Sequence, residues 1–402
     1  MLTPRQLQKI PVELVETYQS LEDFIIEDIC RRIAKAGMTD TVKWQYIRAQ
    51  EFGMANKTIK KKIAETLKIS EKQVNKIFKN AGAMSLKSDN ELYEQAKLTP
   101  FHLESSLELK AYMMAAIKQT KKEMKNMCHS LGFVDNIGNK KVAKSLSKSY
   151  IASLDLANMQ VSSGVLDYQT AVRQAVKKLA RSGVSFIDYE SGWHNRLDVA
   201  VRRAVISGVN QMNRQMTDYT MDISIKKDDQ YVEVTAHMGA RPSHAEWQGR
   251  VYKVEGSTVE YPNLYEVTGL GTVEGLCGAN CRHSYFPFIP GISVRAYTEK
   301  SLKEIDGEPK TYKGRTYTAY EASQEQRKME RQIRQTKREI IGYNAAGLKD
   351  DFTNASIKLQ QQKKEYKEFS SAMDIRQKKE RQQVVEYGKS IAQKSVWASK
   401  KR

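Results

Sequence analysis

Apolar residues recur at helical spacing through the first half of the chain. Between Phe101 and Asn126 they fall at Leu107, Leu109, Tyr112, Met113, Ala116, Ile117 and Met124, which places one stripe along a helix. A second stripe, Leu197, Val201, Ala204, Val205, Gly208, Val209 and Met212, predicts a long helix from Trp193 to about Met216. Proline stands at 4, 11 and 100 and not again until Pro242, so nothing breaks these helices. The polar stretches 132–141 (GFVDNIGNKK) and 180–192 (ARSGVSFIDYESG) read as turns between them.

Near Ile225 the period changes. YVEVTAH (231–237) and RVYKVEG (250–256) alternate as strands do, and SVRAYT (293–298) reads as a closing strand. Most of the remaining prolines and many glycines fall between Arg241 and Pro309. After Tyr297 the helical pattern returns. EQRKMERQIRQTKREI (325–340) sets Met329, Ile333 and Ile340 on one face, and a second charged segment runs from about Lys349 to Tyr387. The expected fold is α+β: mainly helical arms, 1–225 and a basic tail 299–402, around a small β-containing domain at 226–298.

Charge adds a class of partner. The 402 residues carry a formal net charge of +19, a field that favours polyanions such as nucleic acid or an acidic protein surface. Residues 321–402 hold 20 Lys or Arg against 11 Asp or Glu. Mixed signs of this kind read first as a solvated helical hairpin or coiled coil with intrahelical pairs. The sharper reading is a DNA-facing tail contacting phosphates through Lys328, Arg331, Arg334, Lys337, Arg338, Lys378, Lys379 and Arg381. KTIKKKIAETLKISEKQVNKIFKNAG (57–82) offers a rival DNA site, a helix-turn-helix. Its turn would lie at KISEK, Ser70 and Gln73 would form a capping box, and Lys72 and Lys76 would face the duplex. The bland alternative is two helices of a bundle.

Four cysteines do not make a disulfide scaffold. Cys30 and Cys128 lie in helical patterns and read as small core residues. MLTPRQLQKIPVEL lacks the apolar centre of a signal peptide, and no stretch approaches the roughly 20 apolar residues of a membrane span. Synthesis and action in a reducing cytoplasm, or in something assembled there, are expected.

Cys277 and Cys281 are different, because GLCGANCRHSYFPFIPG (275–291) concentrates both with His283 in one glycine-rich loop. HMGARPSHAEWQGRVY (237–252) adds His237 and His244. Tetrahedral zinc takes four N or S ligands, so His244, Cys277, Cys281 and His283 form a candidate structural site, with His237 as the alternative fourth ligand. Two other readings stand beside it. The thiols and imidazoles can be buried, hydrogen-bonded members of a loop-rich core. Alternatively, His237, His244, Glu246 and Cys281 can build a hydrolase or transferase site, although no nucleophile motif, phosphate loop or HExxH accompanies them.

The strings ARPSHAEWQGRVY and GLCGANCRHSYFPFIPGIS resemble the phage minor capsid protein family of tailed phages and prophages of Gram-positive bacteria. More distantly they are similar to head-morphogenesis proteins of the Mu F type, in which an upstream His or Cys and a G-[KR]-[VI]-[FY] string pair with HPNCRC. Here Cys281 and Arg282 keep the NCR core and His283 stands where that pattern has its last cysteine. An exchange of Cys for His preserves a zinc ligand. The resemblance covers about residues 230–298. It implies a structural minor head protein of the virion, at the portal vertex and capsid interior, made in the host cytoplasm. Its implied roles are head assembly, DNA packaging or ejection. The implied partners are the portal, met by the helices of 1–225, capsid and scaffold proteins, and double-stranded DNA bound without sequence preference; no membrane and no catalysis are expected. The competing class is a DNA-binding regulator or a metal-dependent DNA-processing enzyme.

Overall fold

The computed structural model describes residues 2–35, 41–137, 140–162, 167–188 and 190–400. Helices dominate, with small antiparallel sheets between them, so the α+β expectation holds. In chain order the first half runs α1 (Pro4–Lys9), α2 (Val12–Lys35), α3 (Thr41–Gln95), α4 (Leu107–His129), β1 (Leu131–Ile137), β2 (Lys140–Ser145), α5 (Leu146–Ser162), α6 (Tyr168–Ser182), β3 (Ser185–Ile187), β4 (His194–Arg196) and α7 (Leu197–Ser224). The second half runs β5 (Tyr231–Val234), α8 (Pro242–Ala245), β6 (Val251–Lys253), α9 (Leu264–Thr268), β7 (Tyr285–Phe288), α10 (Glu299–Glu304), β8 (Lys310–Tyr312), β9 (Arg315–Tyr317), α11 (Ala319–Ala346), α12 (Lys349–Ala372) and α13 (Lys389–Lys400).

The compact units are not consecutive blocks of sequence. One gathers Met1–Leu14, Ser70–Glu123 and Val201–Gln324; the other gathers Val15–Ile69, Met124–Ala200 and Glu325–Arg402.

In the first unit, the buried stripes of α3 (Val74, Phe78, Ala81), α4 (Leu109, Met113, Ile117) and α7 (Val205, Val209, Met212) supply the helical core. Two buried polar links set α3 against α7. Thr217 Oγ1 donates to Asp89 Oδ2 at 2.9 Å, and the hydroxyls of Tyr93 and Thr220 bond at 3.0 Å. The end of α7 carries Met221 into a second core with Val232 and Val234 of β5, Trp247, Tyr252, Leu264, Leu270, Leu276 and Tyr285. Three short strands in the order β6-β5-β7 back that core. The predicted strand at 293–298 is absent. Glu233, buried on the central strand, instead accepts the backbone N–H groups of Ala296 and Tyr297, each at 3.0 Å. A carboxylate has satisfied the donors that a strand partner would have taken.

In the second unit, α2 buries Tyr18, Leu21, Ile25 and Ile29 at helical spacing. Val172, Val176 and Leu179 of α6, Ile340 and Ile341 of α11, and Leu359 and Phe369 of α12 are buried in the same unit. α11 and α12 form an antiparallel hairpin. Gln326 Nε2 donates to Ser370 Oγ at 3.2 Å, the Tyr366 hydroxyl donates to Glu330 at 3.1 Å, and Lys358 reaches Glu339 at 3.8 Å. Of the hairpin and the coiled coil that mixed charge allows, the structure has the two helices paired with each other. α12 ends at Ala372, where Asp374 adopts a left-handed backbone (φ 54°) and the Ile375 N–H returns to Ser370 O at 2.9 Å.

Three further expectations are corrected. The helix-turn-helix at 57–82 is one uninterrupted stretch of α3, and Ser70 is a buried residue within it, not a cap. KISEK contains neither glycine nor proline, so nothing ends the helix there. The stretch 132–141, read as a turn, holds most of β1 and the start of β2, paired from Gly132↔Ser145 to Ile137↔Lys140; Gly138 and Asn139 lie outside the described residues. Together with β3 and β4 it makes a four-stranded sheet, so 1–225 is not purely helical. The helix predicted from Trp193 starts at Leu197, because His194–Arg196 pairs with β3.

Candidate metal centre

The loop between α9 and β7 is wound tightly enough to exclude side chains. A Cβ on Gly275 would lie 1.9 Å from Gly269 O, and one on Gly278 would lie 2.4 Å from Val273 O. Cys277 and Asn280 both take left-handed backbone conformations, φ 60° and 58°. The neighbouring chain holds this coil in place. Asn210 Nδ2 donates to Cys281 O at 3.2 Å, Arg241 donates to Ala279 O at 3.0 Å, and Ser284 N–H donates to Thr235 Oγ1 at 3.0 Å.

The winding brings Cys281 and His283 to His244, which stands on the single turn α8. The three side chains are buried, and their donor atoms lie within 4.8 Å of one another. His244 Nδ1 and His283 Nδ1 are 3.3 Å apart, and Cys281 Sγ is 3.7 Å from the first and 3.5 Å from the second. The far ring nitrogens are occupied. His244 Nε2 donates to the Glu274 carbonyl at 2.8 Å. His283 Nε2 bonds Gln248 Oε1 at 3.1 Å, and that oxygen also accepts the His237 backbone N–H at 3.0 Å. A backbone N–H can only donate, so the amide orientation is fixed and His283 Nε2 must carry its proton. Both imidazoles therefore turn bare Nδ1 lone pairs toward the thiol.

Electrostatics keep the rings uncharged. Burial, then the neighbouring His237, His244, Arg282 and Arg241, push His283 down to about 2. Burial also lowers His244. Trp247 packs on both rings, with centroids 4.4 Å from His244 and 5.0 Å from His283. Neutral imidazole is the form that binds a metal.

Not every expected residue joins. Cys277 packs as an apolar thiol against the core, its Sγ 3.7 Å from the His283 carbonyl, and burial pushes its thiol well up. His237 stacks flat on His283, centroids 4.5 Å apart, with its Nδ1 on the Met238 carbonyl at 3.0 Å. Among the described residues no fourth His, Cys, Asp or Glu enters the cluster. Sequence reasoning missed Gln248 and Asn210, which orient His283 and the Cys281 backbone. Gln248 lies inside the EWQGRVY string, but its role depends on a backbone N–H that the sequence does not place.

The proposed DNA contacts divide. Arg338 is fully buried against Glu22 and Asp23, Arg334 bonds Asp198 at 2.9 Å, and Arg381 is turned inward beside Glu330. Lys337 donates to Gln382 O at 2.6 Å, and burial lowers it to about 8. These four are engaged by partners within their own fold. Lys328, Arg331 and Lys379 are exposed, and Lys378 is half-buried.

A family model for phage minor capsid protein 2 matches residues 2–370. The chain belongs to that family. A curated relative of this minor capsid protein, a structural protein of Lactococcus phage LL-H, is 24% identical over 195 residues. The alignment covers 46% of this chain and 47% of the relative, so the chain spans about half the length of the curated relative it matches. No solved structure matches the minor capsid protein. Its membership makes it a structural phage protein and a component of the particle. Among the described residues no helix is long and apolar enough to cross a membrane.

Proposed function

We propose that this minor capsid protein sits at the portal vertex, faces the capsid interior, and supports head assembly, packaging or ejection by structure and by contact with DNA. The family match over 2–370 carries this reading. The net charge of +19 suits it physically: a basic surface beside packed DNA gains by releasing counterions from phosphates, with no base specificity required. The portal and the capsid or scaffold proteins are its partners in this reading. Purified particles, separated into DNA-filled heads and free components, test it. The chain is expected in filled heads together with portal and at low copy; its absence from particles overturns the proposal.

The DNA contact has its own measurement. Each phosphate contact adds about 0.9 to the slope of log affinity against log salt, so replacing Lys328, Arg331 and Lys379 by alanine lowers that slope by about 2 to 3. An unchanged slope removes the tail from the DNA surface.

A further inference from the structure

The spacing of three donor atoms carries a statement about a metal. A tetrahedral zinc with Zn–N of about 2.05 Å and Zn–S of about 2.3 Å sets its ligands about 3.3 Å apart for N and N, and about 3.6 Å for N and S. The distances here are 3.3 Å for the two Nδ1 atoms and 3.5 and 3.7 Å from them to Sγ. Three corners of a zinc tetrahedron are thus already drawn. The hydrogen bonding agrees. With both Nε2 atoms donating, two bare lone pairs face each other and the single Cys281 S–H can satisfy only one of them. A cation at the centre removes that repulsion. Gln248 and the Glu274 carbonyl are then the outer groups that hold the imidazoles in their ligating tautomer.

We propose that His244 Nδ1, Cys281 Sγ and His283 Nδ1 bind one zinc ion as a three-ligand centre, with the fourth position left to water and with Cys277 and His237 outside the coordination sphere. This site does not depend on where in the particle the protein sits. It fastens the 274–283 coil to α8. Cys277 cannot complete the set without leaving the core it packs against.

The test uses the full chain, expressed with zinc and dialysed under reducing, chelator-free conditions. Metal analysis is expected to find about one zinc per chain, the stoichiometry of a single mononuclear site. The metal is expected to fall to background in Cys281→Ala and His283→Ala, and to remain in Cys277→Ala and His237→Ala. Because the first two variants can fail through misfolding, cobalt substitution of the unaltered chain supplies an independent reading. The thiolate-to-cobalt band should have the intensity of one bond and persist in Cys277→Ala. An unaltered chain without zinc overturns the site. A two-thiolate band, or a folded Cys277→Ala that has lost its metal, overturns the three-ligand assignment.

Discussion

Replacing Arg338 with alanine is expected to destabilise the protein by about 3 to 5 kcal/mol, the cost of breaking a buried ion pair by removing one partner. Arg338 is among the largest fully buried side chains of the described residues and bridges two carboxylates of α2, Glu22 and Asp23. Those carboxylates have other tasks. Glu22 accepts the Val184 N–H at 2.9 Å, and Asp23 accepts the Val385 N–H at 2.9 Å. Burial already pushes Asp23 up to about 6 against the pull of the guanidinium. Without Arg338, Asp23 stays buried with far less compensation and takes up a proton on folding. Carboxyls whose folded values are raised stabilise below their unfolded values, near 4, and lose that contribution as pH rises through the folded ones. The gap between variant and parent should therefore widen from pH 5 to pH 8 in urea unfolding. Arg338→Met fills the volume and should cost about as much; if methionine restores stability, packing and not charge governs the site.

Acid should weaken the Cys/His knot in the metal-free chain. His283 is held near 2 in the folded state against about 6.5 unfolded, so the unfolded chain binds more protons as pH falls below 6.5. A depressed histidine leaves stability untouched above its unfolded value and removes about 1.4 kcal/mol per pH unit below it. By pH 4.5 His283 alone accounts for roughly 3 kcal/mol, and His244, shifted in the same direction, adds to it. Hydrogen exchange of the 226–298 segment after chelation, followed from pH 7 to pH 4.5, reads the loss. His283→Gln should flatten the dependence, since its amide does not titrate. A dependence equally steep in that variant would place the acid sensitivity elsewhere.

These residues differ in how far the sequence reveals them. His244, Cys281 and His283 were legible as a trio, because two quoted strings carry them and the chemistry of the three groups is shared. Cys277 was not separable from them. C-x3-C spacing does not say which sulfur turns inward, and the direction depends on a left-handed backbone at Cys277 between two glycines that neighbouring carbonyls crowd. Arg334 and Arg338 read as phosphate contacts because they lie off the apolar face of Met329, Ile333 and Ile340. They share the adjacent row with Ile341, and the carboxylates that draw them in belong to α2 and α7, far away in sequence. The β1–β2 hairpin escaped for a similar reason. GFVDNIGNKK has a polar composition, and its strand character comes from pairing with its own continuation, Lys144 and Ser145 included. Residues 57–82 read as helix on either side of KISEK, and the structure differs there only in carrying the helix through.

Glu233 has one more effect, on the borders of the small sheet. By fastening 293–298 over the central strand, it keeps that segment from extending the small sheet, whose margins remain β6 and β7. Those margins are three and four residues long, and Pro287 removes an amide donor from the longer one. Short borders interrupted by proline make poor templates for strand addition. The small sheet therefore offers little backbone for another strand to join.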